Sequence, residues 1–93
     1  MNGARYASTW DAIEDTPAET ENMKLRSGLM MALEAHIRRQ GRTQAEAARR
    51  LGVTQPRVSD LLRAKVSLFG LDTLVSMVVA VGLRIEMRVA EAA

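Results

Sequence analysis

Cysteine is absent from the 93-residue chain, and histidine occurs only once. The missing cysteines exclude a disulfide framework, a thiolate zinc site and a cysteine nucleophile, and they fit a reducing compartment. The single histidine, His36, leaves no histidine pair for a metal and no nucleophile-base arrangement for catalysis. We therefore expect no enzyme activity, no catalytic residue, no metal site and no cofactor.

Long hydrophobic runs are missing as well. The longest apolar stretch, residues 74–83, is half of the roughly 20 residues that a membrane span requires. No stretch after Met1 resembles a targeting signal, so we expect a cytoplasmic protein with no membrane partner. The composition, 47% apolar and 26% charged, is typical of one soluble domain, whose modest core would gain from an assembly partner.

Positive charge is concentrated in the middle of the chain. Residues 26–65 carry eight arginines and Lys65 against three acidic residues, a net charge of +6, whereas residues 1–25 carry a net charge of −3. An anionic partner would therefore bind the middle segment. Eleven of the 13 basic residues are arginine, whose planar guanidinium suits bidentate contacts with phosphate or guanine.

Capping signals place the helices. Thr16-Pro17-Ala18-Glu19 is typical of a helix start, and Thr43-Gln44-Ala45-Glu46 repeats the pattern. Glycines at the far ends favour left-handed stops. The predicted helices are 17–40, 44–51, 55–63 and 71–81, and a short turn near Trp10 and Ile13 precedes them. Residues 64–70 form a connector, and we expect its Phe69 to plug the hydrophobic core.

After Gly82 the hydrophobic period changes from 3.6 residues to two. The alternating apolar residues, Leu83, Ile85, Met87 and Val89, predict a half-buried strand over residues 83–89. A lone strand leaves its backbone groups unpaired, so we expect antiparallel pairing with a second copy in a homodimer. Registers centred on Ile85 or Met87 set arginine opposite glutamate, which favours them over a register centred on Glu86.

Residues 44–63, QAEAARRLGVTQPRVSDLLR, have the spacing of two short helices that cross at a tight turn. Ala48 lies where a large side chain would clash, Gly52 turns the chain, and Val58 and Leu61 fill the wedge between the helices. This pattern is typical of a helix-turn-helix, whose second helix presents its outer face to the DNA major groove. At about 100° per residue, the outward positions are Pro56, Ser59, Asp60 and Arg63, with Arg57 on the flank and Gln55 at the start.

The stretch TQAEAARRLGVTQPRVSDLLRAK, residues 43–65, resembles the phage-repressor-like, Xre-type helix-turn-helix family. With WDAIEDTPAETENMKLRSGLM and the closing GLRIEMRV, the chain looks like HigA-type antitoxins, small autorepressors encoded beside an mRNA-cleaving toxin. The resemblance implies an all-α, lambda-repressor-like bundle of about five helices, with one C-terminal β-strand paired across a homodimer, and operator binding. The expected organisation is an N-terminal segment, 1–16, and a single domain, 17–93, that contains the helix-turn-helix and the dimerisation strand.

The resemblance also assigns roles in base recognition. Gln55 matches the family's first reader and would contact adenine, and Arg57 is our candidate for guanine. Pro56, which stands where the family often has a polar reader, can offer only apolar contact, for example to a thymine methyl. Asp60 would either accept from cytosine or act as an intrahelical partner of the neighbouring arginines. The full set of expected base readers is Gln55, Pro56, Arg57, Ser59 and Asp60.

Backbone phosphates form the second class of expected DNA contacts. Gln44 matches the family glutamine that bridges a phosphate and the next helix. The expected phosphate-binding residues are Thr43, Gln44, Arg63, Lys65 and Ser67. At most half of Arg38, Arg39, Arg42, Arg49 and Arg50 should lie near DNA. A dimer would require a near-palindromic operator with half-sites about 34 to 36 Å apart.

The expected function is a sequence-specific double-stranded DNA-binding regulator that acts as an autorepressing antitoxin, and the alternatives are a phage-type repressor without a toxin and a protein-binding adaptor on the same fold. The acidic segment, residues 11–21, would either contact a basic RNase-like toxin or simply favour the start of the first long helix. A phage-type repressor without a toxin would need no such contact. A protein-binding adaptor on the same fold would carry apolar residues on the outer face of residues 55–63, and this face is instead polar and basic.

Overall fold

A computed structural model describes residues 16–92 of the chain. These residues form four α-helices and one turn of 3-10 helix. The helices are α1, Pro17–Gln40; α2, Gln44–Leu51; α3, Gln55–Leu62; and α4, Leu71–Ala80, and the 3-10 turn is Val66–Leu68. The predicted all-α class is confirmed for the described residues, whereas the predicted turn near residues 10–13 lies outside them.

Capping boxes begin α1 and α2, as predicted. The Thr16 hydroxyl accepts the Glu19 N–H at 3.1 Å, and the Glu19 carboxylate accepts the Thr16 N–H at 3.4 Å. Thr43 and Glu46 make the same two hydrogen bonds at 3.1 and 3.0 Å. These bonds satisfy N–H groups that have no partner within the helix, and so they fix where each helix begins.

Helices α2, α3 and α4 end in the same kind of turn, which places one residue in the left-handed region. That residue is Gly52 after α2, Ala64 after α3 and Gly82 after α4, with φ of 73°, 57° and 86°. After α3, the Lys65 N–H donates to the Asp60 carbonyl at 3.1 Å, which closes a Schellman turn. Ala64 is thus an alanine in a position that usually favours glycine.

The hydrophobic core lies where the four helices and the connector between α3 and α4 meet. Phe69 plugs it from the connector with no exposed surface, as predicted. The buried side chains are Met30, Leu33, Ile37, Ala47, Ala48, Leu51, Val58, Leu61, Phe69, Leu74, Met77, Val78 and Val81. α1 and α4 therefore pack against one side of the α2–α3 pair, and the other side of the pair faces solvent.

The C-terminal strand is the main correction to the predicted fold. Residues 83–92 have no regular secondary structure in the single chain. The predicted alternation is present in part, because Leu83 and Ile85 pack against the core while Arg84 and Glu86 are exposed. A strand needs a ladder partner, and none of residues 16–82 offers one, since they contain only helices and connections between them.

The C-terminal tail borders the first half of α1. An apolar hollow of about 280 Å³ lies between them, and its lining includes Leu25, Val75 and Met87. Met87 and Val89 are 77% and 87% exposed, far more than is usual for apolar side chains inside a domain. The outer half of the tail is therefore apolar but uncovered in the single chain.

Candidate nucleic-acid interface

The three residues Gly52, Val53 and Thr54 separate α2 from α3. The Val53 N–H donates to the Ala48 carbonyl at 3.0 Å, so the turn folds back onto the helix that it leaves. The Thr54 hydroxyl then accepts the Arg57 N–H at 3.4 Å and begins α3. The short turn therefore fixes the start of α3 relative to α2.

The inner face of α3 is anchored in the core. Val58 and Leu61 have no exposed surface, and Ala48 is buried where α2 meets α3, as the spacing predicts. Gln55 and Pro56 are exposed, and Ser59 is partly exposed. The first turn of α3 consequently presents an accessible face that combines the polar Gln55 with the apolar Pro56.

The Arg57 side chain does not simply extend from the flank of α3 into solvent, as a helical wheel suggests, but turns toward the connector. Its Nη1 donates to the Leu68 carbonyl at 2.9 Å, and its guanidinium carbon lies 4.0 Å from the centroid of the Phe69 ring. The guanidinium thus lies over the ring of Phe69 and combines a cation–π contact with a charge-assisted hydrogen bond. Its predicted contact with guanine would require both interactions to break.

Asp60 does not pair with the arginines of its own helix among the described residues. Its carboxylate lies 3.7 Å from the Lys65 Nζ instead. The Schellman turn after Ala64 brings Lys65 back over the last turn of α3, where the two charges meet. Intrahelical pairing of Asp60 with Arg57 and Arg63 was therefore the wrong alternative, whereas a contact with cytosine remains a prediction.

The predicted phosphate-binding residues lie on exposed backbone next to the two helices. Thr43 and Gln44 are exposed at the start of α2, and Arg63, Lys65 and Ser67 are exposed just beyond α3. The Thr43 hydroxyl oxygen already accepts the Glu46 N–H, which leaves its own O–H free to donate. Two of the expected phosphate contacts thus precede α3 in the sequence, and the other three follow it.

Comparisons with known proteins place the chain in a family. A helix-turn-helix domain model matches residues 12–90. A solved structure that carries the name of an XRE family transcriptional regulator is 32% identical, with a TM-score of 0.72, and the match covers 80% of this chain and 83% of that chain. The chain belongs to the XRE family of helix-turn-helix proteins. No curated protein matches it.

In this XRE-family chain, the arginines away from α3 differ in their surroundings. Arg38 is paired with Glu34 through contacts of 3.0 and 3.2 Å. Arg42, Arg49 and Arg50 line a polar hollow of about 210 Å³ together with Glu46. The Thr43 backbone N–H, with further help from Arg49 and Arg42, holds the pKa of the Glu46 carboxyl below its ordinary value. With three arginines against one glutamate, this hollow is a basic concave surface beside α2.

Arg26 contacts the connector beyond α3, and periodicity does not reveal this contact. From α1, its Nη1 donates to the Val66 and Phe69 carbonyls at 3.4 and 3.5 Å. Its buried Nε has no hydrogen-bond partner within residues 16–92. Arg26 and Arg57 thus reach the same connector from two different helices, although nothing local in the sequence links residue 26 to residues 66–69.

Metal-binding and membrane-spanning features are absent from the part of the chain that the structure describes. No group of three or more histidine, cysteine, aspartate or glutamate side chains lies close enough there to hold a metal ion. Each helix in the same region is too short or too polar to cross a bilayer. His36 is half-buried in α1, and its Nδ1 has no partner among residues 16–92.

Proposed function

We propose that the chain is a transcriptional regulator that binds double-stranded DNA sequence-specifically, with α3 in the major groove. The observation that carries this proposal is the division of α3, which buries Val58 and Leu61 and exposes its first turn between basic segments. The solved relative named as an XRE family transcriptional regulator supports it. A protein-binding adaptor would be expected to expose several apolar residues on this face, whereas Pro56 is the one fully apolar residue that is exposed on α3.

Base reading falls to the open face of α3. Gln55 is positioned at the first residue of the helix and would hydrogen-bond adenine N6 and N7. Ser59, one turn further, suits either a base edge or a bridging water. Pro56 would contact a thymine methyl, and Asp60 would accept from cytosine N4 if Lys65 turned to a phosphate. Thr43, Gln44, Arg63, Lys65 and Ser67 would bind phosphates and set the position of α3 without reading sequence.

Selection of binding sites from a random duplex library tests this function directly. We expect an enriched sequence, and binding to it that weakens steeply as salt concentration rises. Gln55→Ala should then remove the preference at one base pair per half-site, by about 5- to 150-fold. Gln40→Ala is the matched control, because Gln40 is an exposed glutamine at the end of α1 and should leave binding unchanged. Failure to enrich any sequence would refute the proposal.

We also propose that two chains pair through residues 83–89. Met87 and Val89 are exposed, and Leu83 and Ile85 already hold the tail against the core, so one edge of the tail is available to a second copy. Antiparallel pairing centred on Ile85 would place Arg84 opposite Glu86 of the other chain. Two α3 helices coupled in this way would require a near-palindromic operator with half-sites about one helical turn apart.

Sedimentation of the purified protein tests the pairing. We expect a dimer at micromolar concentration, and Met87→Asp should convert it to single chains, because a buried unpaired carboxylate is costly in an apolar contact. Ala92→Asp introduces the same charge on an exposed residue beyond the predicted strand, and it should leave the dimer intact. A wild-type protein that sediments as one chain would contradict the proposal.

An autorepressing antitoxin is the narrower role that we propose within this function. The resemblance to HigA-type antitoxins and the acidic segment of residues 11–21 support it. Glu19 is engaged in the cap of α1, so Glu21, which is exposed, is the better contact of the two for a basic RNase-like toxin. Co-expression with the product of the neighbouring reading frame should give a stable complex. If the product of the neighbouring reading frame neither binds this chain nor cleaves RNA, that result would favour a stand-alone repressor.

A further inference from the structure

Two guanidinium groups bind the connector that follows α3. Arg57 of α3 donates to the Leu68 carbonyl at 2.9 Å, and Arg26 of α1 donates to the Val66 and Phe69 carbonyls at 3.4 and 3.5 Å. The Val66 carbonyl already accepts the Phe69 N–H at 3.2 Å, whereas the carbonyls of Leu68, at the end of the 3-10 turn, and of Phe69, just after it, have no backbone donor among residues 16–92. Arg57 and Arg26 thus supply the donors that the Leu68 and Phe69 carbonyls otherwise lack.

Arg57 contributes a second contact that is specific to a planar cation. Its guanidinium carbon lies 4.0 Å from the centroid of the Phe69 ring, and that ring has no exposed surface. The guanidinium therefore covers Phe69 on one side while it holds the preceding carbonyl. A lysine could supply the charge, but it could not lie flat on the ring and reach the carbonyl with equal geometry.

We propose that Arg57 is a positioning residue that fixes the connector against α3, and that it does not read a base. The proposal rests on the proposed DNA-binding function, because the connector matters there through Lys65 and Ser67. Both residues lie between α3 and the Phe69 plug, and both are exposed as phosphate contacts would need to be. Holding Leu68 and Phe69 in place sets the path of the backbone that carries these two side chains toward DNA.

The role of Arg57 can be separated from base reading and from phosphate binding by one set of titrations. The probe is the duplex selected by the wild-type chain, together with its single-base-pair substitutions, at several salt concentrations. We expect Arg57→Ala to weaken binding to every duplex by about tenfold, the equivalent of one lost charge-assisted hydrogen bond. The ranking of the duplexes and the salt dependence should stay as in the wild type.

Two other outcomes would overturn the proposal. Loss of preference at one base pair would make Arg57 a base reader. A fall of about 0.9 in the slope of log affinity against log salt would make it a phosphate contact. Arg63→Ala is the matched control, because Arg63 is an exposed arginine at the other end of α3 and is expected to give that change in slope. Arg57→Lys should fail to rescue binding, whereas a role for charge alone predicts full rescue.

Amide hydrogen exchange tests the same inference without DNA, so it remains informative if no duplex binds. Arg57→Ala should accelerate exchange at the amides of Leu68 and Phe69, which donate to the Lys65 and Val66 carbonyls, and leave the amides in the middle of α1 unchanged. Arg57→Met, which keeps an unbranched apolar stem, replaces Arg57→Ala if that variant unfolds. Unchanged exchange at Leu68 and Phe69 would refute the positioning role.

Discussion

Replacing Ala64 with glycine is expected to stabilise the protein, although the same change usually destabilises a helical protein. Ala64 has a φ of 57°, and an L-residue there costs roughly 1–2 kcal/mol because its Cβ approaches the next carbonyl oxygen. Glycine removes that cost but gives the unfolded chain more freedom, which is worth about 0.4–1 kcal/mol. The midpoints of the two ranges differ by about 0.8 kcal/mol, and we expect a gain of about that size in the free energy of unfolding.

Urea denaturation followed by far-ultraviolet circular dichroism measures this gain. For a domain of this size, it corresponds to a rise of about 2–8 °C in the melting temperature. Ala35→Gly is the matched control, because Ala35 is an exposed alanine inside α1, where glycine should cost about 1 kcal/mol. The two identical chemical changes should therefore have opposite signs.

The reverse substitution gives a second check. A Cβ added at Gly52 would meet no heavy atom within 4 Å, so Gly52→Ala should lose about 1 kcal/mol through its backbone conformation alone. If Ala64→Gly instead lost as much stability as Ala35→Gly, the left-handed alanine would carry no strain, and the comparison of the three Schellman turns would be wrong.

Three further perturbations follow from the described contacts. Leu61→Ala should lower the free energy of unfolding by about 2–5 kcal/mol because Leu61 is fully buried, whereas Leu68→Ala at a half-exposed position should change it by under about 0.5 kcal/mol, both measured by urea denaturation. The pKa of Glu46 is lowered on folding, chiefly by the Thr43 backbone N–H. The ionised Glu46 carboxylate therefore adds to the free energy of unfolding above the unfolded-state pKa, and this contribution is lost as the pH falls through the lower folded-state pKa. Glu46→Gln should therefore reduce the acid sensitivity of stability in titrations below about pH 5. Lys65→Ala should weaken binding to every duplex and reduce the salt slope by about 0.9 in gel-shift titrations.

Helix boundaries could be predicted well because their signals are local. The capping boxes at Thr16 and Thr43 act over three residues, and the observed helices begin where those boxes place them. α4 was harder to predict, because it contains three valines, and β-branched residues suit a strand equally well. It is a helix since Leu74, Met77 and Val78 lie on one helical face and pack into the core. Tertiary packing therefore decided what local propensity left open.

The C-terminal tail, residues 83–92, and the Arg57 side chain are two features that local sequence patterns do not predict fully. Alternating hydrophobicity correctly marked Leu83 and Ile85 as facing the core, but Met87 and Val89 of the same pattern are exposed, because the pattern does not supply the second chain that a ladder needs. The helical wheel places Arg57 on a flank, yet its side chain reaches a carbonyl 11 residues further along the chain. A long flexible side chain chooses its partner in three dimensions, and periodicity carries no information about that choice.

α3 is only eight residues long, and both of its ends are held, by the Thr54 cap and by the Schellman turn at Ala64. A helix of about two turns that is capped at both ends has little freedom to bend, fray or rotate about its axis when it contacts DNA. Any mismatch in groove width or twist would have to be absorbed by the duplex. Stiffness of the base pairs between the half-sites, which no side chain touches, would then contribute to which sequences are chosen.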